Sequence, residues 1–166
     1  MSDSPRLTRT DLLRRVRAVE ESLRGTAPRF VFVGGVLGAV YPLPPFLSIR
    51  PTDDVDVVVD GVLTHQFPSL EDRLRKAGFR NATDENAPRC RWRPPAAPLM
   101  DDTFTVDIVG PEESVEGATN RWYAEAIRNA QQYDLPGGGT IWAITPLYFV
   151  ATKLEAHRSR GQGKPI

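Results

Sequence analysis

The run RPTDDVDVVVD, Arg50 to Asp60, constrains this chain more than any other stretch. From Asp54 onward it alternates, which specifies a β-strand whose side chains point to two faces in turn. Val55, Val57 and Val59 share one face, and Asp54 and Asp56 share the other. Carboxylates buried in a sheet are costly unless something pairs with them. At positions i and i+2 their Cα atoms stand about 6.5–7 Å apart, so the oxygens can converge on a cation. Hard divalent ions prefer such oxygens, and two-metal sites hold their ions about 3.5–4 Å apart. Asp53 and Asp60 read as turn residues flanking the strand, the latter ahead of Gly61.

A third carboxylate follows from the same periodicity. In DTFTVDIVG, Phe104, Val106 and Ile108 share one face, and Thr103, Thr105 and Asp107 share the other. If this strand lies beside the first, Asp107 joins Asp54 and Asp56. Three such carboxylates repel one another, so cations are expected among them. Upstream, FVFVGGVLGAV reads as an apolar strand, a Gly34-Gly35 turn and a helix start. Glycine lets phosphate oxygens approach the backbone, and a helix start offers free N–H groups and a dipole to an anion. Strand, Gly-Gly turn, helix and Asp-x-Asp strand together suit a metal-bound nucleoside triphosphate.

The other elements give a mixed α/β order. TRTDLLRRVRAVEESLRG has helical spacing with Gly25 as its stop. FPSLEDRLRKAG is an amphipathic helix with Ser69 as its cap, RCRWR a short edge strand, and TNRWYAEAIRNAQQY helical throughout. LPGGGTIWAIT is a glycine turn and a strand. PLYFVATKLEAHRSRG starts a helix at Pro146. The predicted fold is α/β (α+β), a small mixed sheet flanked by helices. The 166 residues fit one domain.

Composition removes several function classes. Lys plus Arg and Asp plus Glu both number 21, so no whole-molecule attraction to nucleic acid is implied. One cysteine, Cys90, excludes an internal disulfide and a cysteine-rich zinc site, which fits a reducing, cytoplasmic setting. Two distant histidines, His65 and His157, argue against a histidine-based metal site. No apolar run approaches the roughly 20 residues needed to span a bilayer, and the polar start MSDSPRLTRT carries no secretory signal. No membrane association is expected.

With Gly34-Gly35, Asp54-Val55-Asp56 and Asp107 in this order, the chain resembles the polymerase-β-type nucleotidyltransferase superfamily. Within it, RPTDDVD is similar to the AbiEii-like abortive-infection (type IV toxin) nucleotidyltransferases, which typically show Arg-x-Thr-x-Asp-apolar-Asp after a Gly-Gly turn. ITPLYFVATKLEAHRSRG resembles their later strand and lysine-bearing helix, the lysine here being Lys153. The resemblance runs from Phe30 to Arg160. It implies one nucleotidyltransferase-like domain over residues 1–166, either shortened or minimal, because the toxin group continues into further helices.

The resemblance further implies a metal-dependent nucleotidyltransferase that moves a nucleoside monophosphate from a triphosphate to an acceptor hydroxyl. Asp54, Asp56 and Asp107 would be catalytic and hold two Mg²⁺ (or Mn²⁺). Gly34 and Gly35 would hold phosphates, and Lys153, with Arg50 as a weaker candidate, would neutralise the triphosphate. Resemblance to the toxin group points to RNA, such as a transfer RNA 3′ end, as acceptor and to a cognate antitoxin as partner, with small-molecule hydroxyls and protein side chains the open alternatives for the acceptor. The alternative is a non-catalytic nucleotide-binding or regulatory module of the same fold.

Plainer readings stand beside these. Asp107 could pair with an arginine, Gly34-Gly35 could be only a tight connection, Arg50 could salt-bridge Asp53 or Asp54, and Lys153 could be solvated. Trp92, Trp122 and Trp142 read as packing residues. RCRWR suits a solvated edge strand more than a nucleic-acid backbone.

Overall fold

The computed structural model describes residues 7–44, 52–95, 104–110 and 120–159; Arg50 and much of the proline-rich segment around it lie outside them. The first helix, α1 (Arg9–Leu23), starts at a reciprocal cap. Asp11 N donates to Thr8 Oγ1 (3.2 Å), and Thr8 N donates to Asp11 Oδ2 (2.9 Å), satisfying amide groups that the helix leaves orphaned. Leu12, Val16, Val19 and Leu23 recur at helical spacing and are buried.

Among the described residues, seven strands form one mixed sheet in the order β3-β4-β5-β2-β1-β7-β6. They are β1 (Arg29–Val33), β2 (Asp54–Asp60), β3 (Arg80–Asn81), β4 (Arg91–Arg93), β5 (Thr105–Val109), β6 (Gln131–Asp134) and β7 (Thr140–Ala143). The β2–β5 and β1–β7 pairs are parallel, and the other neighbours are antiparallel. The other helices among the described residues are α2 (Leu37–Val40), α3 (Phe67–Lys76), α4 (Tyr123–Arg128) and α5 (Pro146–Ser159). The α/β class expected from the sequence is therefore what the chain adopts, with a larger sheet than expected.

The two faces of the sheet are dressed differently. Val55, Val57 and Val59 are fully buried. Val55 and Val57 stand in register with Val106 and Ile108 of β5. On this face Arg15 of α1 lies over the Phe104 ring at 4.9 Å and donates to Asp53 O at 2.8 Å. Arg75 of α3 lies over Trp92, whose partner in β5 is Val106, at 5.5 Å. The opposite face carries Asp54, Asp56, Val58 and Asp60. At its Asp60 end, Arg29 donates to Asp60 Oδ2 (2.9 Å) and to Ile127 O of α4 (3.2 Å). Asp60 thus ends the strand in an ion pair rather than serving only a turn.

Four local expectations are corrected. Gln66 caps α3, with proline in the first turn, and Ser69 lies inside the helix. RCRWR is not an edge: the two-residue β3 lies outside β4. The helix expected through Tyr133 stops at Arg128, and Gln131–Asp134 pairs with β7 as a hairpin. Three consecutive glycines with positive φ, Gly137 to Gly139, close that hairpin, a geometry other residues rarely adopt. Finally, α2 is a single turn, so the dipole expected after Gly35 is weak. Among the described residues no helix is long and apolar enough to cross a membrane.

In α3 the buried residues are Leu70 and Leu74, so the helix is held to the sheet by few apolar groups. Leu70→Ala should lower the unfolding free energy by about 2–4 kcal/mol, read from urea denaturation with unchanged slope.

Candidate functional site

Sheet register assembles the site. In the parallel β2–β5 pair, Asp56 stands directly opposite Asp107 and Asp54 opposite Thr105. Direct neighbours in a sheet project from the same face, so the three carboxylates meet. One ligand oxygen from each of Asp54, Asp56 and Asp107 lies within 4.8 Å of the others, which is the separation a shared cation site requires. Asp54 and Asp56 are half-buried and Asp107 is buried. Asp53 is exposed and apart from them.

The antiparallel side of β1 brings the Gly-Gly turn to the same place. Val33 is the register partner of Asp56, and the chain turns at Gly34 with φ +76°. A Cβ at Gly34 would fall 2.0 Å from Asp56 Oδ2, so the backbone presses on that carboxylate at a distance only glycine permits. Gly35 is less constrained: a Cβ there would meet Thr52 at 3.4 Å. The amides of Leu37, Gly38 and Ala39 are used within the turn, at 3.3, 3.2 and 2.9 Å.

Sequence reasoning missed two residues of the site. Arg91 of β4 is the register partner of Asp107 and grips it with two parallel bonds. Nε donates to Oδ1 and Nη2 to Oδ2, both at 2.8 Å, and Nη2 also reaches Asp54 Oδ2 at 3.3 Å. Thr52 Oγ1 donates to Asp54 Oδ1 at 2.7 Å. Asp107 thus joins the cluster and pairs with an arginine at once, where the two had read as alternatives. The alternation in RCRWR already put Arg91 and Arg93 on one face. What it lacked was the pairing partner of that face.

Charge in the site is unbalanced. Burial pushes the Asp56 carboxyl up to about 7, helped by the neighbouring charges of Asp54 and Asp107 and opposed by Lys153 and Arg91. Lys153 of α5 is half-buried, with Nζ 5.7 Å from the Phe149 ring centroid, and its charge is felt at Asp56. It is therefore not a freely solvated lysine. Asp107 and, more weakly, Asp54 hold the Arg91 guanidinium in its charged form. Three carboxylates against one gripping guanidinium leave oxygen ligands and net negative charge, a donor set that fits Mg²⁺ or Mn²⁺.

This imbalance makes stability depend on pH. A carboxyl whose pKa is raised on folding holds its proton longer in the folded state, so stability falls as pH climbs from about 4 through about 7. For protein stripped of metal with chelator, the melting temperature should drop between pH 5 and pH 8. Asp56→Asn should remove most of that drop and be the more stable form at pH 8, by on the order of 3 kcal/mol at most. No protein-family model matches this chain, and no curated protein matches it either.

Proposed function

We propose that the chain has a nucleotidyltransferase-like fold and transfers a nucleoside monophosphate from a triphosphate to an acceptor hydroxyl. The observation that carries this reading is the in-register meeting of Asp54, Asp56 and Asp107 under a glycine turn that touches Asp56. Mg²⁺ or Mn²⁺, when bound to these carboxylates, would neutralise triphosphate charge and acidify the acceptor hydroxyl. The chain's own residues do the rest by placement and electrostatics. Gly34 and Gly35 admit the phosphates close to the backbone. Lys153 faces the cluster from α5 and offsets charge on the triphosphate. The acceptor oxygen attacks the α-phosphorus, the bond from that phosphorus to the bridging oxygen breaks, and pyrophosphate leaves. Asp107 takes the hydroxyl proton. RNA as acceptor and an antitoxin as partner remain part of the reading through sequence resemblance alone.

One observation favours the second reading, a nucleotide-binding module without catalysis. Arg91 already neutralises part of the cluster, as a purely structural ion pair would. Incubation with RNA, Mg²⁺ and an α-labelled triphosphate separates the two. Label should move to acceptor with wild type and fall at least a hundredfold with Asp54→Ala or Asp56→Ala. Folded, nucleotide-binding protein that never consumes the label would overturn the enzymatic reading.

Ligand-induced stabilisation gives a separate check. Mg²⁺ and a triphosphate together should raise the melting temperature more than the sum of either alone, since each completes the other's site. Unchanged melting with all four triphosphates at millimolar concentration would reject nucleotide binding.

A further inference from the structure

The acidic cluster carries a cation of its own, and the position of that cation is informative. Arg91 binds both oxygens of Asp107 and one of Asp54, so these two carboxylates share one guanidinium. Asp56 lies one strand further from Arg91 than Asp107 does, on the Gly34 side. The Asp107 side chain is 11% exposed, whereas those of Arg91 and Asp54 are 31% and 34% exposed. The guanidinium therefore lies at the mouth of the cluster and can leave without unpacking the core. Its backbone stays fixed, because Arg91 and Trp92 are paired with β5 and Arg91 N donates to Pro88 O at 2.9 Å.

A guanidinium and a divalent cation cannot occupy the same oxygens without strong mutual repulsion. A triphosphate offers the guanidinium the same forked geometry that Asp107 gives it, with more negative charge. Resting on the nucleotidyltransferase reading, we propose that Arg91 is a latch: it competes with divalent metal for Asp107 and Asp54, and the triphosphate draws it away. Metal and nucleotide are then coupled through Arg91 as well as through direct contact. The coupling is reciprocal, so metal should tighten nucleotide by the same factor as nucleotide tightens metal. Without nucleotide, the latch keeps the cluster from filling with metal.

The test is a titration of chelator-stripped protein with Mn²⁺, counting protein-bound ion by electron paramagnetic resonance. Wild type, Arg91→Met and Arg91→Lys are compared with and without a triphosphate analogue whose α–β bridge cannot be cleaved. Without nucleotide, Arg91→Met should bind Mn²⁺ on the order of tenfold tighter than wild type, with Arg91→Lys between them. The analogue should tighten Mn²⁺ by a larger factor in wild type than in Arg91→Met. Equal or weaker Mn²⁺ binding by Arg91→Met would mean that the arginine organises the ligands instead of excluding metal, and would overturn the latch. So would an analogue effect equal in all three proteins. If circular dichroism shows Arg91→Met unfolded, Arg91→Lys against wild type decides by the same criterion. Wild type that transfers label while failing these comparisons removes the latch alone. Absence of Mn²⁺ binding in every protein removes the metal reading and the latch with it.

Discussion

Parallel pairing of β2 with β5 forces Asp56 against Asp107, and the surrounding structure accommodates that repulsion. The opposite face of both strands is closed with valine, isoleucine and Phe104, all nearly inaccessible to solvent, and this burial holds the register. A slip of one residue would turn the valines outward and the aspartates into the core. Apolar burial on one face thus fixes carboxylate geometry on the other. Cationic groups then gather around the acids: Arg91 from the neighbouring strand and Lys153 from α5.

The interior strand β1 carries the site's other half. It pairs with β2 on one edge and β7 on the other, and its end delivers Gly34 to Asp56. From β7 the chain passes directly into α5, which brings Lys153 back toward the cluster. Tyr41, just beyond α2, donates to Ile144 O at 2.7 Å and meets the rings of Tyr133 and Phe149 edge-on. The Gly-Gly turn and the lysine helix are therefore braced against each other. On the far side of the sheet, Arg15 holds the backbone at Asp53, one residue before the first acidic ligand.

Much of this was legible in the residues. The strands β1, β2 and β5 announced themselves by apolar runs and alternation, and the faces assigned to Asp54, Asp56 and Asp107 are those they occupy. Periodicity reports which face a residue takes, but not which strand lies beside it, so the grip of Arg91 on Asp107 was invisible. Likewise β3, at two residues, is too short to carry any pattern, and without it RCRWR looked like an edge. The segment Gln131–Asp134 was misread because polar residues continuing a helical composition carry no strand signal. It becomes a strand only because the glycines after it fold it onto β7. For Lys153 a solvated position was one reading, and its helix also carries Leu147, Val150 and Leu154. Those three are in fact exposed, and the lysine is the half-buried one.

The two parallel pairs have a kinetic consequence. A hairpin can zip locally, but parallel neighbours must wait for a long excursion of chain to return. A β1–β2 pair by itself gives Asp54 and Asp56 neither Asp107 beside them nor Arg91 to bind. Along the chain α3, β3 and β4 all precede β5 and its acid, and β4 carries the arginine that grips that acid. The strand β4 is thus placed in sequence before the strand whose charge it neutralises. A nascent chain emerging from its N-terminus presents the guanidinium of Arg91 before the carboxylate of Asp107 that it grips.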